Sequence, residues 1–150
     1  MKELIILDLN ISSSVFKANG FIPKKYACEG DNINPPLQIS KLPKNSKSLA
    51  ILVDDPDAPS KTFTHWVVWN ITPGNIIEED SIPGVQGTND YDERGYSGPC
   101  PPSGIHRYVF KIFALDTVLE LKPSSKKQNL EKAMKDHILA YGDLVGLYKK

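Results

Sequence analysis

The sequence has little that would tie it to nucleic acid, to a membrane or to a disulfide framework. Arginine is scarce: Arg94 and Arg107 are the two, and 18 basic against 18 acidic residues leave a formal net charge of zero. There is therefore no basic footprint for tracking a phosphate backbone, and no nucleic-acid partner is expected. No apolar run approaches the roughly 18 residues of a membrane-spanning helix. The start, Met1 to Asp8, is too short and too soon charged for a secretory leader, so a cytoplasmic location is the expectation. Two cysteines, Cys28 and Cys100, are too few for a disulfide framework. Two free thiols are the default in a reducing cytosol, although both lie in irregular Gly/Pro-rich stretches that would let them approach each other. Repeats and low-complexity tracts are absent, and 150 residues suit a single domain spanning 1–150.

What the chain does have is a long irregular segment of special geometry. Pro83 to His106 holds five of the ten glycines and four of the twelve prolines. Its last part, Gly95-Tyr96-Ser97-Gly98-Pro99-Cys100-Pro101-Pro102-Ser103-Gly104-Ile105-His106-Arg107-Tyr108, cannot be regular until it turns into a strand near Tyr108. Three prolines there remove N–H donors and fix φ, while Gly98 and Gly104 permit positive φ. A stiff loop delivering a His, an Arg and a Tyr to the mouth of a buried strand is a usual way to build a binding site.

The remaining chain reads mainly as strands. Leu4–Leu9, Ser13–Ala18 and Leu37–Ile39 are short candidates, the last two by alternation. Ser48–Val53 is a continuous apolar run, the pattern of a central strand buried on both faces. Thr64–Ile71, rich in β-branched and aromatic residues, is its expected antiparallel partner. Arg107–Leu115 is a further long strand. After Pro123, a capping-box pattern at Ser125–Gln128 opens a helix with Leu130, Met134, His137 and Tyr141 on one face and Gly142 just past its end. Asp143–Tyr148 is read as a closing strand. Strands followed by one late helix predict a mainly β fold, an antiparallel sandwich with a C-terminal helix packed on it.

Directly after the central run stands Asp54-Asp55-Pro56-Asp57-Ala58-Pro59. Turn chemistry accounts for one Asp; three so close repel one another and need cationic or hydrogen-bonded partners. Pro59 is a candidate cis proline. An antiparallel hairpin sets His65 opposite this corner, and Asp55, Asp57, His65 and His106 are predicted to converge. One chemistry for them is a pocket for a small anion or zwitterion, with carboxylates holding the imidazoles in a chosen tautomer. A second is a metal site of two His and a carboxylate, for which no short ligand spacing speaks. A third is Asp/His hydrolysis, for which no nucleophile stands out: Ser97 and Ser103 lie outside a nucleophile-elbow motif and proline follows Cys100. A fourth is a protein-recognition surface on the loop. The reading adopted is non-catalytic binding that regulates a protein partner, with no cofactor and no metal; a metal-dependent or Asp/His hydrolase on the same cluster is the alternative.

Two blocks, Asp55-Pro56-Asp57-Ala58-Pro59 with His65, and Gly98-Pro99 through Gly104-Ile105-His106-Arg107-Tyr108, resemble the signatures of the phosphatidylethanolamine-binding, or Raf kinase inhibitor-like, family. Asp31-Asn32-Ile33-Asn34-Pro35-Pro36 and the C-terminal stretch resemble its bacterial and archaeal branch. The resemblance implies a β-sandwich with a cis proline at Pro59. It implies a pocket lined by Asp55, Asp57, His65, Gly98, Pro99, His106 and Tyr108 that binds phosphate or phosphoethanolamine-like headgroups. It also implies no established enzymatic activity, protein partners such as kinases or proteases in some members, and homodimers among bacterial relatives. Kinase partners transfer poorly, because the C-terminal part differs from that of eukaryotic relatives. Trp66 and Trp69 are expected to add apolar wall to the pocket.

Overall fold

The central strand, β4 (Ser48–Asp55), has all eight of its residues buried, as its unbroken apolar run predicts. It pairs antiparallel with β5 (Phe63–Ile71) on one side and β8 (Ile105–Leu115) on the other. The computed structural model describes residues 5–150. Around this trio, β9 (Ile138–Lys149) pairs with β8 along its whole length. The short β1 (Leu7–Asp8) and β7 (Val85–Gln86) close the two edges, giving the order β1-β9-β8-β4-β5-β7. A second sheet of three short strands, β2 (Asn10–Ser12), β3 (Leu37–Ser40) and β6 (Ile76–Ile77), lies in the order β2-β3-β6. All pairings of these strands are antiparallel except that of β1 with β9. The fold is mainly β with one helix, as expected.

Alternation along β4 divides the core in two. Leu49, Ile51 and Val53 point to the inner layer with Trp66, Phe110 and Ile112, facing Leu37, Ile39 and Ile77 of the second sheet. Ala50 and Leu52 point the other way and meet Val67, Trp69, Leu130 and Met134 beneath the helix α1 (Lys127–Met134). Trp66 and Trp69 are both fully buried, on opposite faces of the large sheet. The expectation that they wall the pocket is corrected: both are spent on core packing.

Three other expectations are corrected. Leu4 lies outside the described residues, and the first strand is split: Leu7–Asp8 joins the large sheet and Asn10–Ser12 crosses to the small one. No strand forms over Ser13–Ala18. Ser13 Oγ donates to the Pro36 carbonyl and accepts from the Val15 amide, which diverts the backbone from a ladder. The helix ends at Met134, not near Gly142. Its start is held by the Lys126 amide donating to Asn129 Oδ1 at 2.9 Å, one residue later than Ser125. Asp136 is left-handed, φ 67°, and turns the chain back. The apolar residues that fit a helical period then serve β9, whose backbone completes the open edge of β8. Gly142 is needed within that strand: a Cβ there would sit 2.4 Å from the Leu9 carbonyl oxygen.

Candidate functional site

The register of the β4–β5 pair places His65. Val53 faces Trp66, but the next residue, Asp54, faces Thr64, so His65 is an extra residue on β5. Such a bulge re-aims a side chain. Thr64 faces the helix side, where its hydroxyl donates to Asp54 Oδ1 at 2.8 Å. The bulge lets His65 follow Trp66 onto the inner face, which Asp55, His106 and Tyr108 share at the end of the sandwich. His65 Nδ1 donates to the Ser97 carbonyl at 2.8 Å. Burial lowers its pKa below the ordinary imidazole value, against the opposing pull of the Ser97 carbonyl and Asp55. Folding therefore keeps this ring neutral. The sign follows: a depressed imidazole makes the unfolded chain the better proton acceptor, so stability falls as pH drops below about 6.5.

The three aspartates separate completely, each to its own partner. Asp54 turns to the helix side and accepts from Lys111 at 2.9 Å, Lys127 at 2.8 Å and Thr64. Burial alone would raise its pKa; these three donors overcome that and hold it low. Asp55 stays on the inner face, where Oδ2 accepts from His106 Nδ1 at 2.6 Å and Oδ1 from the Asp57 amide at 2.8 Å. Asp57 is gripped by Arg107 through its backbone N–H, Nε and Nη2, at 2.8, 3.0 and 2.8 Å, and that grip lowers its pKa to about 2. The sequence requirement for partners is thus met at all three. The corner turns without a cis bond: no cis peptide occurs among the described residues, so the Pro59 expectation is corrected. The Asp55–Asp57 side-chain turn and a left-handed Ser60, φ 77°, redirect the chain instead.

The proline-rich approach to His106 is fastened to the Lys24–Asn32 turn. The Cys28 amide donates to the Pro99 carbonyl at 3.0 Å, the Gly98 amide to Asn32 Oδ1 at 2.7 Å, and the Tyr96 hydroxyl to the Tyr26 carbonyl at 2.8 Å. These contacts set Cys28 and Cys100 with Cα atoms 5.5 Å apart, and the two form a disulfide. The default of two free thiols is corrected. Gly98 is required for close approach, not for positive φ: a Cβ would stand 2.1 Å from the Tyr26 carbonyl oxygen. Gly98→Ala is expected to cost about 1–3 kcal/mol by forcing these two loops apart, seen as a lower urea midpoint at unchanged slope.

A hollow of about 180 Å³ opens at this end, lined among others by Asp55, His65, His106 and Tyr108. Four of the seven expected site residues are thus brought together. Asp57 lies at the rim, committed to Arg107, and the Pro99 carbonyl is committed to Cys28. Gly98 lines a neighbouring hollow of about 190 Å³, which shares Tyr91 and Cys100 with the first. Among the described residues, the hydrogen bonds of both imidazoles are made through Nδ1, and none is made through Nε2. Tyr108 is 1% exposed, and its hydroxyl makes no hydrogen bond of ordinary geometry, although the Asp55 carboxylate and the Cys100 backbone stand close to it. Burial pushes its pKa well above the ordinary phenol value, with the nearby Asp55 charge adding to the rise.

Sequence reasoning missed the supports of this hollow. Phe63 and Tyr91 pack edge-on to each other at 4.6 Å, and both pack edge-on to the His65 ring. Asn89, fully buried, donates to the carbonyls of His65 and Gly95 and to Ser97 Oγ, pinning the loop to β5. The residues Gly87-Thr88-Asn89-Asp90 have turn chemistry, which marks a bend but not the burial of Asn89. No three His, Cys, Asp or Glu side chains among the described residues form a metal-ligand cluster. For hydrolysis, Cys100 is bonded to Cys28 and Ser97 Oγ is taken by Asn89, so neither is paired with a base.

Nine strands in two sheets among the described residues, with a Pro/Gly loop and two imidazoles at one end, define a mainly β class of small domain. A family model described as phosphatidylethanolamine-binding protein matches residues 12–149, and the chain belongs to that family. It is 55% identical to the UPF0098 protein PH1269 of Pyrococcus horikoshii, over 92% of this chain and 75% of that one. It is 47% identical to a UPF0098 protein of Methanothermobacter thermautotrophicus, over 95% and 99%. Among solved structures, a putative phosphatidylethanolamine-binding protein homolog from Chlamydia trachomatis superposes with TM-score 0.91 at 41% identity, covering 95% of this chain and 98% of that one. Escherichia coli YbcL, described as a member of the mammalian family, superposes with TM-score 0.88 at 28% identity, covering 95% and 99%. No helix among the described residues is long and apolar enough to cross a membrane.

Proposed function

We propose that the hollow at the Asp55–His106 corner is a non-catalytic binding site for a small phosphoryl anion, free phosphate or a phosphoethanolamine-like headgroup. The observation that carries this reading is the Tyr108 hydroxyl, buried and without a partner beside two imidazoles whose Nε2 atoms are open. A buried unpaired hydroxyl costs about 1–3 kcal/mol, which a ligand oxygen accepting from it would recover. Asp55 and the Ser97 carbonyl fix both rings, so little ordering is left for the ligand to impose.

Inorganic phosphate should raise the melting temperature in proportion to the logarithm of its concentration. His106→Ala and His65→Ala should each shrink the response without abolishing it; a response unchanged in both defeats the assignment. Tyr108→Phe separates binding from stability. Without phosphate it should melt at or above the parent temperature, because the stranded hydroxyl is gone, while its phosphate response shrinks. A phosphate response equal to the parent's would place the anion elsewhere.

A further inference from the structure

The protons on the two imidazoles restrict which anion the hollow can take. The Ser97 carbonyl can only accept, so His65 Nδ1, 2.8 Å away, must carry the ring's proton. In the neutral ring, the form burial favours, Nε2 is then a bare lone pair. It is turned away from Ser97, into a hollow where no protein donor meets it. The side chains that line the hollow beside it offer no donor except the tyrosine hydroxyls, and neither of these is bonded to it. Asp55 accepts from His106 and from the Asp57 amide, the His106 Nδ1 proton is spent on Asp55, and Phe63 has no donor. Tyr108 and Tyr91 carry one hydroxyl each, and that of Tyr108 is bonded to nothing. The fixed charge inside the hollow is the Asp55 carboxylate, 3% exposed, with no Lys or Arg in the lining. A tetrahedral anion with four bare oxygens would set a lone pair against His65 Nε2 and negative charge near Asp55. An anion with one protonated oxygen donates to Nε2 and accepts from Tyr108 with another oxygen.

We propose that the hollow selects phosphoryl ligands bearing a P–OH, inorganic phosphate and phosphomonoesters, over sulfate and phosphodiesters, with His65 Nε2 as the acceptor that discriminates. This rests on the anion-site reading above and narrows it. A lipid phosphate is a diester and has no such proton, whereas free phosphate or a monoester headgroup can carry one.

Calorimetric titration of the whole protein with phosphate and with sulfate tests it in mildly alkaline buffer, where both ions are divalent and of one shape. Phosphate should bind about tenfold tighter or more, since sulfate leaves the buried acceptor unpaired. A phosphomonoester keeps its P–OH only below its second pKa of about 6, so in mildly acidic buffer, near pH 5, phosphoethanolamine should likewise exceed glycerophosphoethanolamine, its diester. In His65→Phe the phosphate-to-sulfate ratio should collapse towards one. Equal binding of phosphate and sulfate, equal binding of monoester and diester, or a ratio that survives in His65→Phe overturns the selection while leaving the anion site standing. No binding of any probe overturns both. Nitrogen NMR of the parent protein decides the point without a variant: with phosphate bound, His65 should carry hydrogen on Nδ1 alone, and a hydrogen on Nε2 refutes the assignment.

Discussion

Replacing Cys28 and Cys100 together by serine is expected to destabilise the protein by about 4 kcal/mol, because the bridge closes a loop between residues 72 apart in sequence. For a chain of this length that is a fall in melting temperature of about ten degrees. The parent protein melted in excess dithiol should show the same fall. The loss belongs mostly to the unfolded state, which the bridge restrains. In the folded state the Cys28–Pro99, Gly98–Asn32 and Tyr96–Tyr26 hydrogen bonds already join the same two loops. The double variant should therefore keep its phosphate response while melting earlier. A fall of under about two degrees would mean that the bridge adds nothing those hydrogen bonds do not already hold.

Asp54→Ala should cost a similar amount, about 3–5 kcal/mol, since it strands two ammonium groups around one buried position. Lys111 and Lys127 come from β8 and α1, so the carboxylate ties the helix to the sheet. Its side chain is 1% exposed, and theirs are 28% and 18%. The pKa of Asp54 is depressed in the folded state. Its stabilisation is thus fully present above the unfolded value near 3.9 and is lost as pH falls through the lower folded value. Asp54→Ala should flatten the acid limb of the stability profile as well as lower the plateau. Equal acid sensitivity in parent and variant would place the acid-labile group elsewhere.

The parts legible in the sequence are those where one pattern dominates. Ser48–Val53 could only be a strand buried on both faces, and the Asp-Pro corner after it fixed a hairpin that sets His65 beside Asp55. The Pro/Gly loop announced itself by composition. The parts that were not legible depend on a partner distant in sequence. The period of residues 130–141 suits a helix, and only the unpaired edge of β8 claims 138–149 for β9. The bulge that turns His65 inward is a property of the β4–β5 register, not of either strand alone. Asp57 carries the same side chain as Asp55 but meets Arg107 two residues down β8, which removes it from the hollow. The nearness of Cys28 to Cys100 is set by the Asn32 and Tyr26 contacts of a turn about 70 residues upstream.

Crystals grown in phosphate would show whether one small anion occupies the space between His65, His106 and Tyr108. Tetrahedral density should fill the hollow, with oxygens in hydrogen-bond reach of the Tyr108 hydroxyl and of both open imidazole nitrogens. Water alone in that space, with phosphate bound elsewhere or not at all, would contradict the account.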